Sequence, residues 1–285
     1  MSTPVSSRVP RRLILALIAG LTFLVAACSG GSSNSGPTVE DVKAAGKVRI
    51  AVFGDLPPYG YVRNDGSRAG LDIELGEQIA KDLGVTPDWV QVNADSRVDA
   101  LNSDKVDLVL ANFTVTDERK QVVDFANPYM KVSIGVASPA DAVITDPAQL
   151  NGKELAVTKG TTAEAFFTQK YPEIKLVKFD SKTQQFQAFK DRRVAALADD
   201  NSYLFAWAKS NPGFTLGIKE IGPASFIAPA VKKGDSNLRD WVNTEINNLV
   251  NDGFFRKAYD QELKPYFTED VKPQDILIQS VPPAN

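Results

Sequence analysis

Residues 106–119 read VDLVLANFTVTDER, and this stretch decides the fold class. Its first part, residues 106–113, is a mostly apolar run that predicts a strand buried on both faces. Such strands are typical of parallel sheets that helices cover on both sides. Thr116 follows in a position to cap a short helix, which would place Arg119 in the first turn of that helix.

Apolar runs and helical patterns alternate outward from this stretch, which predicts parallel α/β layers. Residues 71–83 have leucine and isoleucine at helical spacing, and Gly84 is placed to end that helix. Ser96 and Asp99 resemble a capping box before another short helix. Further strands are expected at residues 48–53, 154–158, 174–179 and 194–198. Further helices are expected from Thr162, from Lys182, from Ser202 and over residues 236–253.

Residues 1–27 predict a lipoprotein signal peptide. Three arginines precede residues 13–27, an almost wholly apolar run that is shorter than the roughly 20 residues of a transmembrane helix. The run ends as LVAAC at residues 24–28, with small residues before the single cysteine of the chain. This resembles the bacterial lipoprotein cleavage box, which implies that Cys28 becomes the mature N-terminus and carries lipid, palmitate included. An ordinary signal peptide with an incidental cysteine, or an uncleaved anchor, is the alternative.

Residues 28–40 start with this cysteine and continue as a Ser/Gly-rich segment, which predicts a flexible tether. Removing residues 1–27 takes three arginines from the 32 basic residues and leaves 29 against 35 acidic ones, a net charge of −6. We therefore expect no nucleic-acid partner. The signal peptide and lipid place the protein at the outer face of the cytoplasmic membrane.

The composition excludes several classes of site. The chain has 285 residues, of which 43% are hydrophobic and 24% charged, and this suits a globular protein of one large or two modest domains. It contains one cysteine and no histidine. An internal disulfide, the common zinc sites and Ser–His–Asp triads are therefore excluded. The composition does not exclude catalysis by carboxylates, lysine, tyrosine or serine.

Three motifs resemble those of the family 3 bacterial solute-binding proteins, which are polar amino-acid receptors of ABC importers. The motifs are GLDIEL at residues 70–75, the stretch 106–119, and VDFANPY at residues 123–129. The resemblance extends over about residues 47–271. Three further segments are most similar to the cysteine-binding lipoproteins of that family: FGDLPPYGY at residues 53–61, NSYLFAW at residues 201–207, and IAPAVKKGD at residues 227–235.

The resemblance implies a type II periplasmic-binding-protein fold. In that fold two α/β lobes are joined by two crossing segments, and the ligand binds in the cleft between them. We expect lobe 1 to comprise residues 41–132 and 226–285, and lobe 2 to comprise residues 133–225. We also expect a monomer without cofactor or metal that delivers its ligand to an ABC permease and ATPase.

A site for a free amino acid needs a fixed cation for the carboxylate and a fixed anion for the ammonium. Arg119 is the candidate cation, because its planar guanidinium can hold a carboxylate through two bonds. It follows the C-terminal end of a strand, where open α/β sheets bind ligands. Asn112 and Thr114 flank the same strand end and can add hydroxyl or backbone contacts. The alternative is that they only complete the hydrogen bonds of the strand.

The resemblance also implies contacts from lobe 2. In the family, the loop equivalent to Gly160-Thr161-Thr162 helps to hold the carboxylate, and a helix N-terminus suits an anion. The sequence alone gives Thr162 only the role of a helix cap. Asp200 matches the amine-binding aspartate of the family, and Asp199 is the alternative one residue earlier.

The recognition of the ligand side chain is less defined. Tyr59, together with Phe53, is a candidate wall of the pocket, and ordinary core packing is the alternative. Arg97 matches a position where relatives that bind acidic amino acids carry a second cation. Because cysteine-type relatives share this arginine, it does not identify the ligand, and a solvated helical arginine is its alternative role.

The predicted function is amino-acid binding for import, without catalysis. Cysteine is the first candidate ligand, followed by glutamate or aspartate and then by cystine. One alternative is a periplasmic dehydratase of the cyclohexadienyl type, for which Asp55, Asp199 and Asp200 would be the acids near the cleft. Another is an amino-acid sensor or adhesin of the same fold that takes no part in transport.

Overall fold

The computed structural model of the protein describes residues 36–280. The predicted signal peptide, Cys28 and the first part of the predicted tether lie outside this range. Thr38 caps the first helix, which begins at Val39, by accepting a hydrogen bond from the amide of Asp41 at 3.2 Å. The folded body therefore starts inside the segment predicted as a tether. Within residues 36–280, no helix combines the length and the apolar character that a membrane crossing requires.

Helices and strands alternate along the chain, as the sequence predicts. The helices are α1 (Val39–Ala45), α2 (Leu71–Leu83), α3 (Arg97–Asn102), α4 (Asp117–Lys120), α5 (Thr162–Lys170), α6 (Lys182–Lys190), α7 (Asn201–Lys209), α8 (Ser236–Asn251), α9 (Phe254–Ala258) and α10 (Pro273–Ile276). The strands are β1 (Lys47–Val52), β2 (Asp55–Leu56), β3 (Gly60–Val62), β4 (Arg68–Ala69), β5 (Thr86–Gln91), β6 (Leu108–Val109), β7 (Val123–Phe125), β8 (Met130–Pro139), β9 (Glu154–Thr158), β10 (Lys175–Phe179), β11 (Ala196–Asp200), β12 (Phe214–Ile227) and β13 (Ala230–Lys232).

The first large sheet has the strand order β5-β1-β6-β13-β7, and we call the part of the molecule built on it lobe 1. Strand β1 runs parallel to β5 and β6, with Ile50 opposite Leu108. Strand β13 runs antiparallel to both of its neighbours, with Ala230 opposite Val109 and Phe125. Because β13 comes from late in the chain, lobe 1 is built from two separate chain segments.

The second large sheet has the order β10-β9-β11-β8-β12 and forms lobe 2. Strand β9 is parallel to β10 and β11, whereas β8 is antiparallel to β11 and β12. All five strands lie between residues 130 and 227, so this sheet comes from one continuous segment. Buried apolar side chains cover it: one cluster, which includes Phe189 and Leu204, is continuous with the core of lobe 1, and a second includes Val157 and Phe167.

Strands β8 and β12 carry the chain from lobe 1 to lobe 2 and back. They pair with each other over their whole length, from Met130 opposite Ile227 to Pro139 opposite Phe214. The ladder shifts its register three times along β12. This arrangement confirms the predicted two-lobe fold with two crossing segments. The predicted lobe boundaries, 132/133 and 225/226, fall within these two strands and stay a prediction.

Helix α2 spans the residues that its apolar spacing predicts. Gly84 adopts the left-handed conformation (φ 76°) and ends the helix by donating its amide to the carbonyl of Ala80. Leu75 and Ile79 are fully buried on the face that packs into lobe 1. Asp72 is also fully buried, and its carboxylate contributes to the site described below.

Two local predictions need correction. Residues 106–113 are buried as expected, but only Leu108 and Val109 form the strand, because the chain turns at Asn112 with a φ of 44°. Ser96 does not cap α3 through its side chain. Its hydroxyl is instead 3.1 Å from both the amide and the carbonyl oxygen of Asn93, so the loop before the helix uses it.

Candidate functional site

A small cleft lies where the two lobes meet. Its empty space, which includes space open to solvent, is about 250 Å³. Its lining combines cations, anions and hydroxyl groups with little apolar surface: Phe53, Ala94, Arg97, Asn112, Thr114, Arg119, Thr161, Thr162, Lys182, Asp199 and Asp200. This polarity suits a ligand that carries charges of both signs.

Arg119 lies in the first turn of α4, directly after the end of the β6 segment. Thr116 caps this helix by accepting the amide of Arg119 at 3.2 Å, as predicted. The guanidinium donates to the carbonyl oxygen of Thr114 at 2.7 Å and to that of Gly160 at 2.8 Å. No carboxylate of residues 36–280 lies within salt-bridge distance of it, so three of its five N–H donors are without a protein partner in this range. Burial lowers the pKa of Arg119 to about 10.

Arg97 lies in α3 and is almost fully buried, which excludes the solvated role considered for it. Its Nε donates to the carbonyl of Ala94, its Nη1 to the carbonyls of Ala111 and Asn112, and its Nη2 to the carbonyl of Gly160, at 2.8–3.2 Å. Burial, together with the charge of Arg119, lowers the pKa of Arg97 well below its ordinary value. Backbone carbonyls therefore hold Arg97 rigidly, and one of its five N–H donors has no partner in residues 36–280.

The ring of Phe113 supports both arginines. The guanidinium carbons of Arg97 and Arg119 lie 4.5 and 4.7 Å from its centroid. This is within the range of cation–π attraction, which grows as the groups are desolvated. Two cations are thus held close together at the strand end, ready for an anion.

Asn112 connects the two lobes. Its amide nitrogen Nδ2 donates to Asp200 of lobe 2 at 2.7 Å, while its side-chain oxygen is buried without a partner in the described chain. Its left-handed backbone is held by Asp72, which accepts the Asn112 amide at 2.9 Å and the Tyr129 hydroxyl at 2.6 Å. Burial raises the pKa of Asp72 to about 7.

The two neighbouring aspartates have different partners, although both lie within β11 and not after it as predicted. Asp199 forms a buried ion pair with Lys182 of α6. Asp200 is 7% exposed and accepts a hydrogen bond only from Asn112 among the described side chains. Its burial, with the charge of Asp199 nearby, raises its pKa to about 6. The side chain of Asp200 does not cap α7. Of the two aspartates that line the cleft, Asp200 alone has no cation within salt-bridge distance in residues 36–280.

The loop before α5 brings lobe 2 against lobe 1. Gly160 has a φ of 73°, and a Cβ placed on it would lie 2.5 Å from the Cα of Asp95 in lobe 1. Its carbonyl accepts hydrogen bonds from both cleft arginines. Thr161, not Thr162 as predicted, caps α5 by accepting the amide of Glu164 at 3.2 Å. Thr162 is the first residue of the helix, so its backbone N–H has no acceptor within the helix.

The structure brings seven of the eight predicted ligand-binding residues into one cleft: Arg97, Asn112, Thr114, Arg119, Thr161, Thr162 and Asp200. Whether they contact the ligand stays a prediction. Tyr59 is different, because it is fully buried and does not line the cleft. Its carbonyl accepts the amide of Asp72 at 2.8 Å, which directs this segment into the packing around the start of α2. Phe53 takes the lining position.

Sequence reasoning missed Lys182 and Ala94. A lysine in the first turn of a polar helix is usually solvated, and Lys182 and Asp199 are 17 residues apart in the chain. The only sequence signal was indirect: two adjacent aspartates at the end of an apolar run imply that a buried cation pairs with at least one of them.

Comparison with known proteins identifies the family of this chain. The family model for bacterial extracellular solute-binding proteins, family 3, matches residues 48–265. The solute receptor for L-cysteine of Neisseria gonorrhoeae is 52% identical, with a TM-score of 0.83 and coverage of 85% of this chain and 99% of that one. The cysteine-binding protein from Campylobacter jejuni is 49% identical, with a TM-score of 0.83 and coverage of 84% and 98%.

A more distant relative is the ABC transporter glutamine-binding protein GlnH of Bacillus subtilis (strain 168). It is 28% identical over 260 residues, which cover 87% of this chain and 93% of that protein. The family model, the sequence identity and the two-lobe fold agree over most of the described residues. This chain therefore belongs to the bacterial extracellular solute-binding proteins, family 3.

Proposed function

We propose that this protein is the extracytoplasmic, lipid-anchored receptor of an amino-acid ABC importer and that it binds L-cysteine between its lobes. One observation carries the proposal. Arg119, with three donors that have no protein partner in the described chain, and Asp200, with no cation, lie in the same small cleft. A fixed cation and a fixed anion in one cleft match the α-carboxylate and α-ammonium of an amino acid.

The carboxylate binds to Arg119 and to groups of both lobes. The remaining guanidinium donors offer bidentate contact, and Thr114 adds its hydroxyl from the same strand end. From lobe 2, the first backbone N–H groups of α5, at Thr162 and Ala163, are free to donate, because a helix leaves its first N–H groups without internal partners.

The ammonium binds to Asp200 and not to Asp199. The charge of Asp199 is already compensated by Lys182, whereas Asp200 has only the neutral amide of Asn112. The unpartnered side-chain oxygen of Asn112 supplies a second acceptor beside it.

Binding and closure are coupled. Lobe 1 supplies the arginines, and closure brings up Asp200 and the loop at Gly160. Each charge-assisted hydrogen bond contributes roughly 1.5–3 kcal/mol. Four or five of them, reduced by the cost of ordering the lobes and the ligand, give about −8 kcal/mol, which corresponds to micromolar affinity. The closed form is then what the permease reads.

The identity of the ligand is supported by the two cysteine receptors that are 52% and 49% identical. Glutamate and aspartate are the next candidates. The ABC importer as partner is supported by the named role of the Bacillus subtilis relative.

A ligand screen tests this function. Thermal shift with the twenty amino acids and cystine, followed by titration calorimetry of the hits, should give cysteine the largest stabilisation and micromolar affinity. A larger effect of another amino acid would contradict the choice of cysteine. Binding of no amino acid, or turnover of prephenate or arogenate, would contradict the receptor function.

Lipid anchoring is tested separately in cells. Cys28→Ser should move the protein from the membrane fraction to the soluble fraction without changing the affinity of the purified body. Retention of the variant in the membrane fraction would favour an uncleaved anchor.

A further inference from the structure

The cleft has more positive than negative charge. Three cations line it, namely Arg97, Arg119 and Lys182, against the two anions Asp199 and Asp200. A zwitterionic amino acid adds no net charge, so one positive charge would stay uncompensated in the closed and largely dry site. A buried charge without a counter-ion is costly. The cleft therefore favours a ligand that brings one negative charge beyond its carboxylate.

Two of the three cations, Arg97 and Lys182, are not needed to hold the amino-acid backbone in the proposed function. Arg97 donates only to neutral carbonyl oxygens, so no carboxylate within hydrogen-bonding distance compensates it in residues 36–280. Lys182 is 4% exposed, and its ammonium has three donors, of which Asp199 takes one. Two N–H groups of a buried lysine thus lack a partner in the described part of the chain.

Lys182 lies on the side of the cleft formed by Phe53 and Arg97. Its neighbour Thr183 donates through its amide and its hydroxyl to Asp55, both at 3.1 Å, and Asp55 follows Phe53 by two residues. The Phe53 ring in turn lies 5.6 Å from the guanidinium carbon of Arg97. Since Arg119 and Asp200 hold the carboxylate and the ammonium, this side is left for the ligand side chain.

We propose that Lys182 determines the specificity of the site by pairing with the side chain of cysteine in its thiolate form. This inference rests on the proposed function and deepens it. On binding, the S–H bond of the ligand breaks heterolytically, the sulfur keeps the electron pair and faces the Lys182 ammonium, and the proton leaves to the solvent buffer. Lys182 itself stays protonated.

Other charged and titratable groups surround this position. Beyond the cleft lining, they include Asp55 on β2, Asp72 on α2, Asp95 before α3, Glu164 on α5, Lys178 on β10 and Tyr203 on α7. Glu164 pairs with Lys178, Asp72 accepts the amide of Asn112, and Asp55 accepts from Thr183, so these carboxylates are occupied.

Serine serves as the matched ligand, because its hydroxyl replaces the thiol and does not ionise in the range of the experiment. A free thiol has a pKa of about 8.5, so only a few per cent of it is thiolate at pH 7. If the site takes thiolate, the ratio of cysteine affinity to serine affinity should rise about tenfold per pH unit between pH 6 and pH 8. Asp200 and the ligand amine act on both ligands and cancel in this ratio.

Titration calorimetry at pH 7 in two buffers of different ionisation enthalpy counts the released protons. We expect about one proton per cysteine bound and none per serine. The double variant Lys182→Met/Asp199→Asn removes the ion pair as a unit, which avoids an unpaired buried charge, and it should abolish the proton release. Lys182→Arg should retain it. Lys175→Met, which breaks an exposed pair with Glu154 in the same lobe, is the control and should behave as wild type.

The outcomes separate the two proposals. Cysteine binding without proton release, and with a pH-independent affinity ratio to serine, would overturn the thiolate proposal and leave the receptor function intact. Proton release that persists in the double variant would overturn the role of Lys182. Failure of cysteine to bind would overturn both. The pH dependence of the cysteine-to-serine affinity ratio is measured on the wild-type protein. It therefore tests thiolate binding even if the double variant does not fold.

Discussion

The two halves of the cleft are built differently. In lobe 1, the arginines are fixed by carbonyls of their own lobe and by the ring of Phe113, and Asn112 is held by Asp72. In lobe 2, Asp200 reaches across the cleft to Asn112, its only side-chain partner among residues 36–280. We therefore expect the lobe 1 half to keep most of its geometry when the lobes separate, with loss of the Gly160 carbonyl as an acceptor, whereas the lobe 2 half acquires its contacts on closure. In the proposed function, lobe 1 would capture the ligand and lobe 2 would retain it.

The largest expected effect is in lobe 1. Arg119→Ala removes the two charge-assisted bonds that we assign to the ligand carboxylate, each of roughly 1.5–3 kcal/mol, so amino-acid affinity should fall by about 100-fold or more. Calorimetry measures the affinity, and circular dichroism checks that the variant is folded. Arg239→Ala, on the exposed face of α8 beside Asp240, is the control and should bind normally. Near-wild-type binding by Arg119→Ala would refute the assigned site.

Substitutions of the two aspartates of lobe 2 should change different properties. The Asp200 variant should lose ligand affinity, and the Asp199 variant should lose stability. Asp200→Asn keeps an acceptor for Asn112 but removes a buried anion, so affinity should fall about 10–100-fold while the free energy of unfolding does not fall. Asp199→Asn leaves Lys182 charged and buried without its partner, so the free energy of unfolding should fall by about 3–5 kcal/mol. Urea denaturation and calorimetry on both variants test this. The reverse pattern would assign the amine to Asp199.

The contact of Gly160 tests closure itself. A Cβ at this position would lie 2.5 Å from the Asp95 backbone across the cleft, so Gly160→Ala should hold the lobes apart and weaken affinity by about tenfold. Gly152→Ala is the matched control, because Gly152 has nearly the same positive φ but open space around it. Small-angle scattering should show ligand-induced compaction in the control and not in Gly160→Ala. Equal affinities of the two variants would mean that closure does not need this contact.

The smallest expected effect is on the pH dependence of stability. Burial raises the pKa of Asp72 in lobe 1 to about 7 and that of Asp200 in lobe 2 to about 6, from 3.8 in the unfolded chain. The folded protein therefore binds more protons than the unfolded one, and both groups make stability fall as pH rises from about 4 to about 7.

Thermal denaturation of the ligand-free protein measures this slope. The melting temperature should be a few degrees higher near pH 5 than near pH 8, and Asp72→Asn should reduce the difference. Asp55→Asn is a control, because its carboxylate lies in an exposed hydrogen bond. An unchanged slope in Asp72→Asn would mean that this carboxylate is not the group that titrates.

The sequence predicts the architecture well where local patterns decide it. Helix α2 begins and ends where its apolar spacing and Gly84 indicate, and Thr116 places Arg119 as expected. The errors arise where distant residues decide. Tyr59 turns into the core because its backbone supports the start of α2, and Asp199 is neutralised by a lysine on another element. Such pairings depend on how elements pack together, which residue spacing does not encode.

Strand β13 fills the gap between β6 and β7 only when residues 230–232 have been synthesised. The five strands of the second sheet, by contrast, all lie before residue 228, and only Met130 at the start of β8 also pairs with a later residue, Leu277. During synthesis from the N-terminus, lobe 2 can complete its hydrogen bonding while lobe 1 still exposes two unpaired strand edges, and such edges invite aggregation. A chain released after residue 227 would therefore have a paired sheet in lobe 2 and an aggregation-prone sheet with unpaired strand edges in lobe 1. In the nascent protein, lobe 1 therefore needs protection from aggregation for longer than lobe 2, although the synthesis of lobe 1 begins first.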